Sequence, residues 1–250
     1  MTLKAQLKAK TPLVGTFLKT PSAMTCEVLG RTALDLICID AEHAPFDRRD
    51  IDACLHALHH AGKPSLVRIP TAAPEHILNA LDCGASGIIA PHITDGRQAS
   101  RLLASSHFGT GRGFAGSTRS AGYGARSMSE HKRRSTEEVV VVAQIEDAEA
   151  LDHLSDIFAV REIDAFFIGR ADLAMSMGAD NAGAPEVVSA VEAICRTGQA
   201  AGATIGMFTP DLAEIAKWRA LGASLFLLSS DHAMMLAGAD ALVRTVRPQL

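Results

Sequence analysis

Short runs of apolar, largely β-branched residues alternate with longer amphipathic stretches from one end of this chain to the other, and the alternation repeats eight times. The strand-like runs are Leu13–Leu18, Leu34–Asp40, Ser65–Ile69, Gly87–Pro91, Val139–Glu146, Ala165–Gly169, Thr204–Phe208 and Ser224–Ser229. Several of them (LDLICI, VVVVAQI, LFLL) are apolar nearly throughout, as a parallel sheet covered on both faces requires. Between them, Asp50–Ala61 places Ile51, Cys54, Leu55 and Leu58 on one helical face, and Asp211–Leu221 does the same with Leu212, Ile215, Ala216 and Arg219. Eight such units predict a closed α/β fold, the (β/α)8 or TIM barrel, and 250 residues is the length of a single domain of that kind. An open, doubly wound sheet would carry a glycine-rich turn after its first strand. Here the first strand runs into KTPSAM, and Gly111-Arg112-Gly113 lacks the third glycine of the dinucleotide fingerprint.

Hydrophobic residues at 48% and charged residues at 21% give a globular composition. The net charge of −4, with Lys and Arg spread along the chain, offers no footprint for nucleic acid or an anionic membrane. The apolar runs are strand-sized and the N-terminus lacks the apolar core of a signal peptide, so a cytoplasmic protein is expected. Cys26, Cys38, Cys54, Cys83 and Cys195 are scattered and form no C-x-x-C pair, which predicts buried free thiols.

In such a barrel the chemistry collects where strands end. Strand two ends in Asp40-Ala41-Glu42-His43, strand three in Arg68, strand five in Gln144-Ile145-Glu146 and strand six in Gly169-Arg170-Ala171-Asp172. Glu146 and Asp172, from neighbouring strands, can converge on one divalent cation; ligand type suits Mg2+ or Mn2+ and is compatible with Co2+ or Zn2+. Each also precedes a helical run and reads equally well as a helix-capping or first-turn acid. His43, flanked by Asp40 and Glu42, is the best-placed general base. A buried Arg68 needs an anionic partner, either a substrate oxygen or Asp40, Glu42 or Glu146. His56, His59 and His60 fall within an outer helix and read as surface or packing residues. No strand-end lysine is placed for Schiff-base chemistry. The irregular segments are Phe108–Ser135 and Met177–Pro185; the first, rich in Gly, Ser and Arg, is longer than a compact domain carries without a purpose.

The segments GTFLKTPSAMTCEVLGRTALDLICIDAEHAPFD, LVRIP, LDCGASGIIAP, GRG…RSAGYG, VVAQIEDAEAL, IDAFFIGRADLAMSMG and LGASLFLLSSD follow one another across nearly the whole chain. In this order and spacing the sequence resembles the HpcH/HpaI aldolase family, the metal-dependent class II pyruvate aldolases that include hydroxy-oxo-heptanedioate aldolases. The resemblance implies a lyase that cleaves a 4-hydroxy-2-oxo acid to pyruvate, or a related 2-oxo acid, and an aldehyde. It implies His43 as proton acceptor, Arg68 as the group that stabilises the enolate oxygen, and Glu146 and Asp172 as metal ligands. It further implies that Gln144, with the backbone of Ala171 and Asp172, binds the 2-oxo acid, and that Asp40 is a supporting carboxylate. Asp82 is implied to lie near His43 across a subunit boundary, in a homotrimer or homohexamer that exchanges a C-terminal helix.

Two departures concern the substrate. Arg170 stands where the family commonly has proline, either binding a second carboxylate or pointing into solvent, and His92 stands where a smaller apolar residue is usual. Three other readings fit less well. A CoA-thioester lyase on the same scaffold tends to be longer and needs a basic cluster for the CoA phosphates. A non-catalytic barrel would be expected to have lost some of these positions. A sugar-phosphate isomerase would favour glycine-rich turns where this chain has Met207-Phe208-Thr209-Pro210 and Ser229-Ser230-Asp231.

Overall fold

The computed structural model describes residues 1–250. Eight strands, β1 Leu13–Leu18, β2 Leu36–Asp40, β3 Ser65–Arg68, β4 Gly87–Ala90, β5 Val140–Ile145, β6 Ala165–Ile168, β7 Ile205–Phe208 and β8 Ala223–Ser230, each pair with the next in parallel. β8 returns to β1 and closes the barrel. The sequence-predicted strands coincide with these to within two residues at either end.

Side-chain alternation divides the core in two. Ile37 and Ile39 of β2 join the layer between sheet and helices, while Leu36 and Cys38 point into the barrel beside Leu66, Val140 and Leu225. The N-terminal helix Leu3–Lys8 contributes Leu3 and Leu7 to this inner cluster and so plugs the end of the barrel where the strands begin. The polar residues at the opposite end are therefore left as the open mouth.

The helix Arg48–His60 buries Ile51, Cys54, Leu55 and Leu58, as its periodicity predicts, and starts with a reciprocal cap between Asp47 and Asp50. Its His56, His59 and His60 are exposed, with the His56 and His60 rings stacked at 4.2 Å. All five cysteines are free and buried. Two expectations need correction. The irregular segment does not run to Ser135: Ser127 caps a helix over Met128–Glu138 by accepting from the Glu130 N–H. The Asp211–Leu221 stretch breaks into a 3-10 turn, Leu212–Glu214, and a short helix, Ile215–Ala220, that buries Trp218 while Leu212 stays exposed. Trp218 is the larger apolar residue, and seating it in the core leaves Leu212 outside while Ile215 still packs against the core.

The last helix, Asp231–Val246, leaves the barrel: every residue from His232 onward is exposed, including Met235, Leu236 and Leu242. No helix is long and apolar enough to cross a membrane.

Candidate active site

A cavity of about 310 Å3 opens at the C-terminal ends of the strands. His43, Arg68, Gln144, Ala171 and Asp172 all line it, together with Lys19, Phe17, Phe208 and Ser229. Asp40 lies behind Arg68, and Glu146, the residue after β5, is 1% exposed next to the lining Gln144. A larger cavity of about 700 Å3 runs past Arg112, Arg119 and Arg134. Those arginines are engaged by Asp82, Asp52 and Glu138.

Parallel register sets Asp40 directly beside Arg68. The guanidinium grips the carboxylate through two bonds, Nε to Oδ1 at 3.0 Å and Nη2 to Oδ2 at 2.8 Å, and rests on the Phe17 ring at 4.6 Å. Lys19, just past β1, adds its ammonium 2.6 Å from Asp40 Oδ2. Burial opposes ionisation of Asp40, but Arg68 and Lys19 outweigh it and hold the carboxyl at about 2. Asp40 also accepts from the His43 backbone N–H at 3.2 Å, which fixes the start of the next loop. The His43 ring is half exposed, and its neighbour is Glu42, with Nε2 3.7 Å from Oε2.

The other side of the mouth is crowded with acid. Burial raises the Glu42 carboxyl to about 7, with Glu146 and Asp40 adding to the effect against the pull of Arg68 and His92. Burial likewise raises Glu146, opposed by hydrogen bonds from Gln144 and the His92 backbone, while the charge of Asp172 raises it further. Glu42 Oε2 lies 3.3 Å from Arg68 Nε but makes no hydrogen bond, and is buried. Gln144 donates to Glu146 Oε2, and the His92 N–H donates to Oε1 at 3.0 Å. Gly169 permits this packing: a Cβ at that position would collide with the Glu146 carboxylate. One atom each from Glu42, His92 and Glu146 lie within 4.8 Å of one another. Two buried carboxylates and an adjacent imidazole are a donor set that fits a divalent cation.

Ala171 and Asp172 occupy the first turn of the helix Arg170–Ser176, where backbone N–H groups have no partner within the helix. Asp172 is thus a first-turn acid whose charge reaches Glu146, although it falls outside the 4.8 Å group. Arg170 does not point into solvent: it is buried and lines the same cavity. It turns inward, pairs with Glu214, donates to the Ala182 carbonyl at 2.8 Å and lies 5.2 Å from the Trp218 ring. Asp82 ends the helix Pro74–Asp82, at the face of the barrel opposite the mouth, and pairs with Arg112 at 2.7 Å. Within one chain it does not meet His43. The Gly- and Arg-rich segment 109–127 follows the helix Gly96–Ser106 and lies at that same far face, with Arg119 bound to Asp52.

Lys19 is the mouth residue that sequence reasoning passed over, although KTPSAM directly follows the first strand. Its backbone N–H and that of Thr20 donate to the two carboxylate oxygens of Asp231 at 2.7 and 3.0 Å.

Comparisons with known proteins agree with this geometry. Residues 13–237 match the family described as HpcH/HpaI aldolase/citrate lyase. The chain is 31% identical to a hydroxypyruvate/pyruvate aldolase of Paraburkholderia phytofirmans, covering 98% of this chain and 97% of that one. It is 32% identical to a 2-dehydro-3,6-dideoxy-6-sulfogluconate aldolase of Pseudomonas putida, over 95% and 93% of the two chains. The crystal structure of an aldolase/citrate lyase family protein from Burkholderia cenocepacia superposes with a TM-score of 0.93 at 32% identity, covering 98% of each chain. With the closed barrel and its acidic mouth, these matches establish that the chain belongs to the HpcH/HpaI aldolase/citrate lyase family.

Proposed function

We propose that this protein is a divalent-metal-dependent lyase that reversibly cleaves a 4-hydroxy-2-oxo acid into pyruvate, or a related 2-oxo acid, and an aldehyde. The observation that carries the reading is the convergence of His43, Arg68, Gln144, Ala171 and Asp172 on one cavity with Glu146 beside it. The related proteins named above are aldolases, in keeping with it.

Glu146 and Asp172 would hold the metal, Mg2+ or Mn2+ with Co2+ and Zn2+ as further candidates, and when bound it supplies Lewis-acid stabilisation of charge on the 2-oxo group. Gln144 and the free N–H groups of Ala171 and Asp172 orient the acid's carboxylate. Arg68, locked by Asp40, presents a fixed positive charge to the 2-oxo oxygen, which gains electron density as the bond between C3 and C4 breaks. His43, through a water, takes the proton of the C4 hydroxyl, so that C4 leaves as the aldehyde carbonyl, and the same water and imidazole return a proton to C3 to complete pyruvate.

A homotrimer or homohexamer suits the exposed apolar residues of the last helix, which need a partner chain to cover them. In that assembly Asp82 is assigned next to the partner subunit's His43. Five buried thiols suit a reducing compartment, and the enzyme is assigned to the cytoplasm. Glu146→Ala and Asp172→Ala should each abolish cleavage of 4-hydroxy-2-oxo acids while leaving the circular dichroism spectrum unchanged. Full activity after exhaustive chelation would overturn the reading.

A further inference from the structure

His92 is held in a way that the reaction above does not require. Its backbone is left-handed, with φ of 57°, a region that histidine enters more readily than most residues other than glycine, and contacts hold it there. One such contact is the N–H bond to Glu146. The ring lies among three carboxylates: Nδ1 is 3.1 Å from Asp147 Oδ2 and 3.6 Å from Glu146 Oε1, and Nε2 is 3.8 Å from Glu42 Oε1. Because a carboxylate only accepts, the bond to Asp147 places the ring proton on Nδ1 and leaves the lone pair of the neutral ring on Nε2, toward Glu42. A carboxylate that fixes the tautomer of an imidazole is the usual outer partner of a metal-bound histidine. Glu42, with 9% of its side chain exposed, turns Oε1 toward that lone pair, while its Oε2 lies 3.3 Å from Arg68 Nε. Ligand bonds of about 2.0–2.4 Å set neighbouring donor atoms roughly 3–4.5 Å apart, so a small inward movement of these three side chains encloses an ion.

We propose that Glu42 and His92 join Glu146 and Asp172 around the one divalent ion, making a nitrogen-bearing site that gives this protein a preference for Mn2+, Co2+ or Zn2+ over Mg2+. Imidazole favours these borderline ions, whereas Mg2+ is served by oxygen donors alone. The proposal rests on the functional reading at one point, that Glu146 touches the metal of the reaction. The nitrogen ligand itself is tested without substrate.

Chelator-stripped protein is loaded with Mn2+, and nitrogen coupling is read by electron spin echo envelope modulation; dissociation constants for Mn2+, Zn2+ and Mg2+ are measured by calorimetry. His92→Asn removes the imidazole but tolerates the left-handed backbone and keeps the N–H to Glu146. Wild-type protein is expected to show nitrogen modulation and His92→Asn none, with Zn2+ and Mn2+ affinity falling about 10–100-fold and Mg2+ affinity changing by less than about threefold. Asp147→Asn, which leaves the ligand in place, should keep the modulation and weaken Zn2+ by about tenfold. No modulation in wild type, modulation surviving in His92→Asn, or equal losses for all three metals would overturn the proposal. Nitrogen coupling without any aldol cleavage rejects the functional reading and leaves this site standing; cleavage without nitrogen coupling does the reverse.

Discussion

Asp40 and Glu42 stand two residues apart at the end of β2 and face the same mouth, yet their surroundings drive them to opposite states. Asp40 is enclosed by Arg68 and Lys19, which hold it ionised at about 2. Glu42 is pushed to about 7 by burial and by a second carboxylate, against the pull of Arg68 and His92. One side of the mouth is thus neutralised by the chain's own cations and can stay rigid without a ligand. The other side crowds carboxylates that the chain's own cations offset only in part, and this is the side where a cation belongs. Which carboxylates in such a barrel bind metal is decided by what stands behind them, since the residue type is the same.

The contrast can be broken most severely at Arg68. Arg68→Met leaves buried Asp40 with Lys19 as its one cation and should cost about 3 kcal/mol in urea unfolding, with kcat falling about 10²–10³-fold. Unchanged stability would show that the Asp40 side is not held together by this pair. Acid is a gentler lever. The carboxyl of Asp40 lies below its ordinary 3.8 in the folded protein, so it stabilises the fold above about pH 4, and the benefit disappears as pH falls through 2. The gap in urea stability between wild type and Asp40→Asn should therefore shrink by roughly 2 kcal/mol between pH 5 and pH 2; a gap independent of pH would contradict it. The smallest effect sharpens the other side. Glu42→Gln should weaken Mn2+ binding at least tenfold and reduce the stabilisation conferred by a fixed excess of Mn2+ by about 1.4 kcal/mol. Equal weakening in Asp40→Asn would erase the distinction between the two sides.

The barrel was legible in the sequence because each strand is short, apolar and bounded by polar residues, so that period and spacing alone place all eight. The strand ends likewise brought His43, Arg68, Gln144, Ala171 and Asp172 to one cavity. Long-range partners were not legible. Nothing near Arg170 indicates that Glu214 will capture it, 44 residues away. The ring of His92 is aimed by a left-handed backbone angle that histidine does not advertise. Trp218 displaced Leu212 from the core because packing volume overrode a periodic pattern barely three turns long. Lys19 was visible at a strand end, but its meaning depends on Asp40, which reaches it only once the barrel closes.

Gly169 offers a way to separate shape from reactivity in this enzyme. A single methyl group there would evict the Glu146 carboxylate while leaving every donor atom of the mouth chemically intact. Directed-evolution libraries that randomise the sixth turn should hold this codon constant, since any other residue trades away the seat of the acid before selectivity is sampled. Conversely, an alanine there supplies a reference protein with the same ionisable residues but a displaced Glu146, against which background turnover can be subtracted.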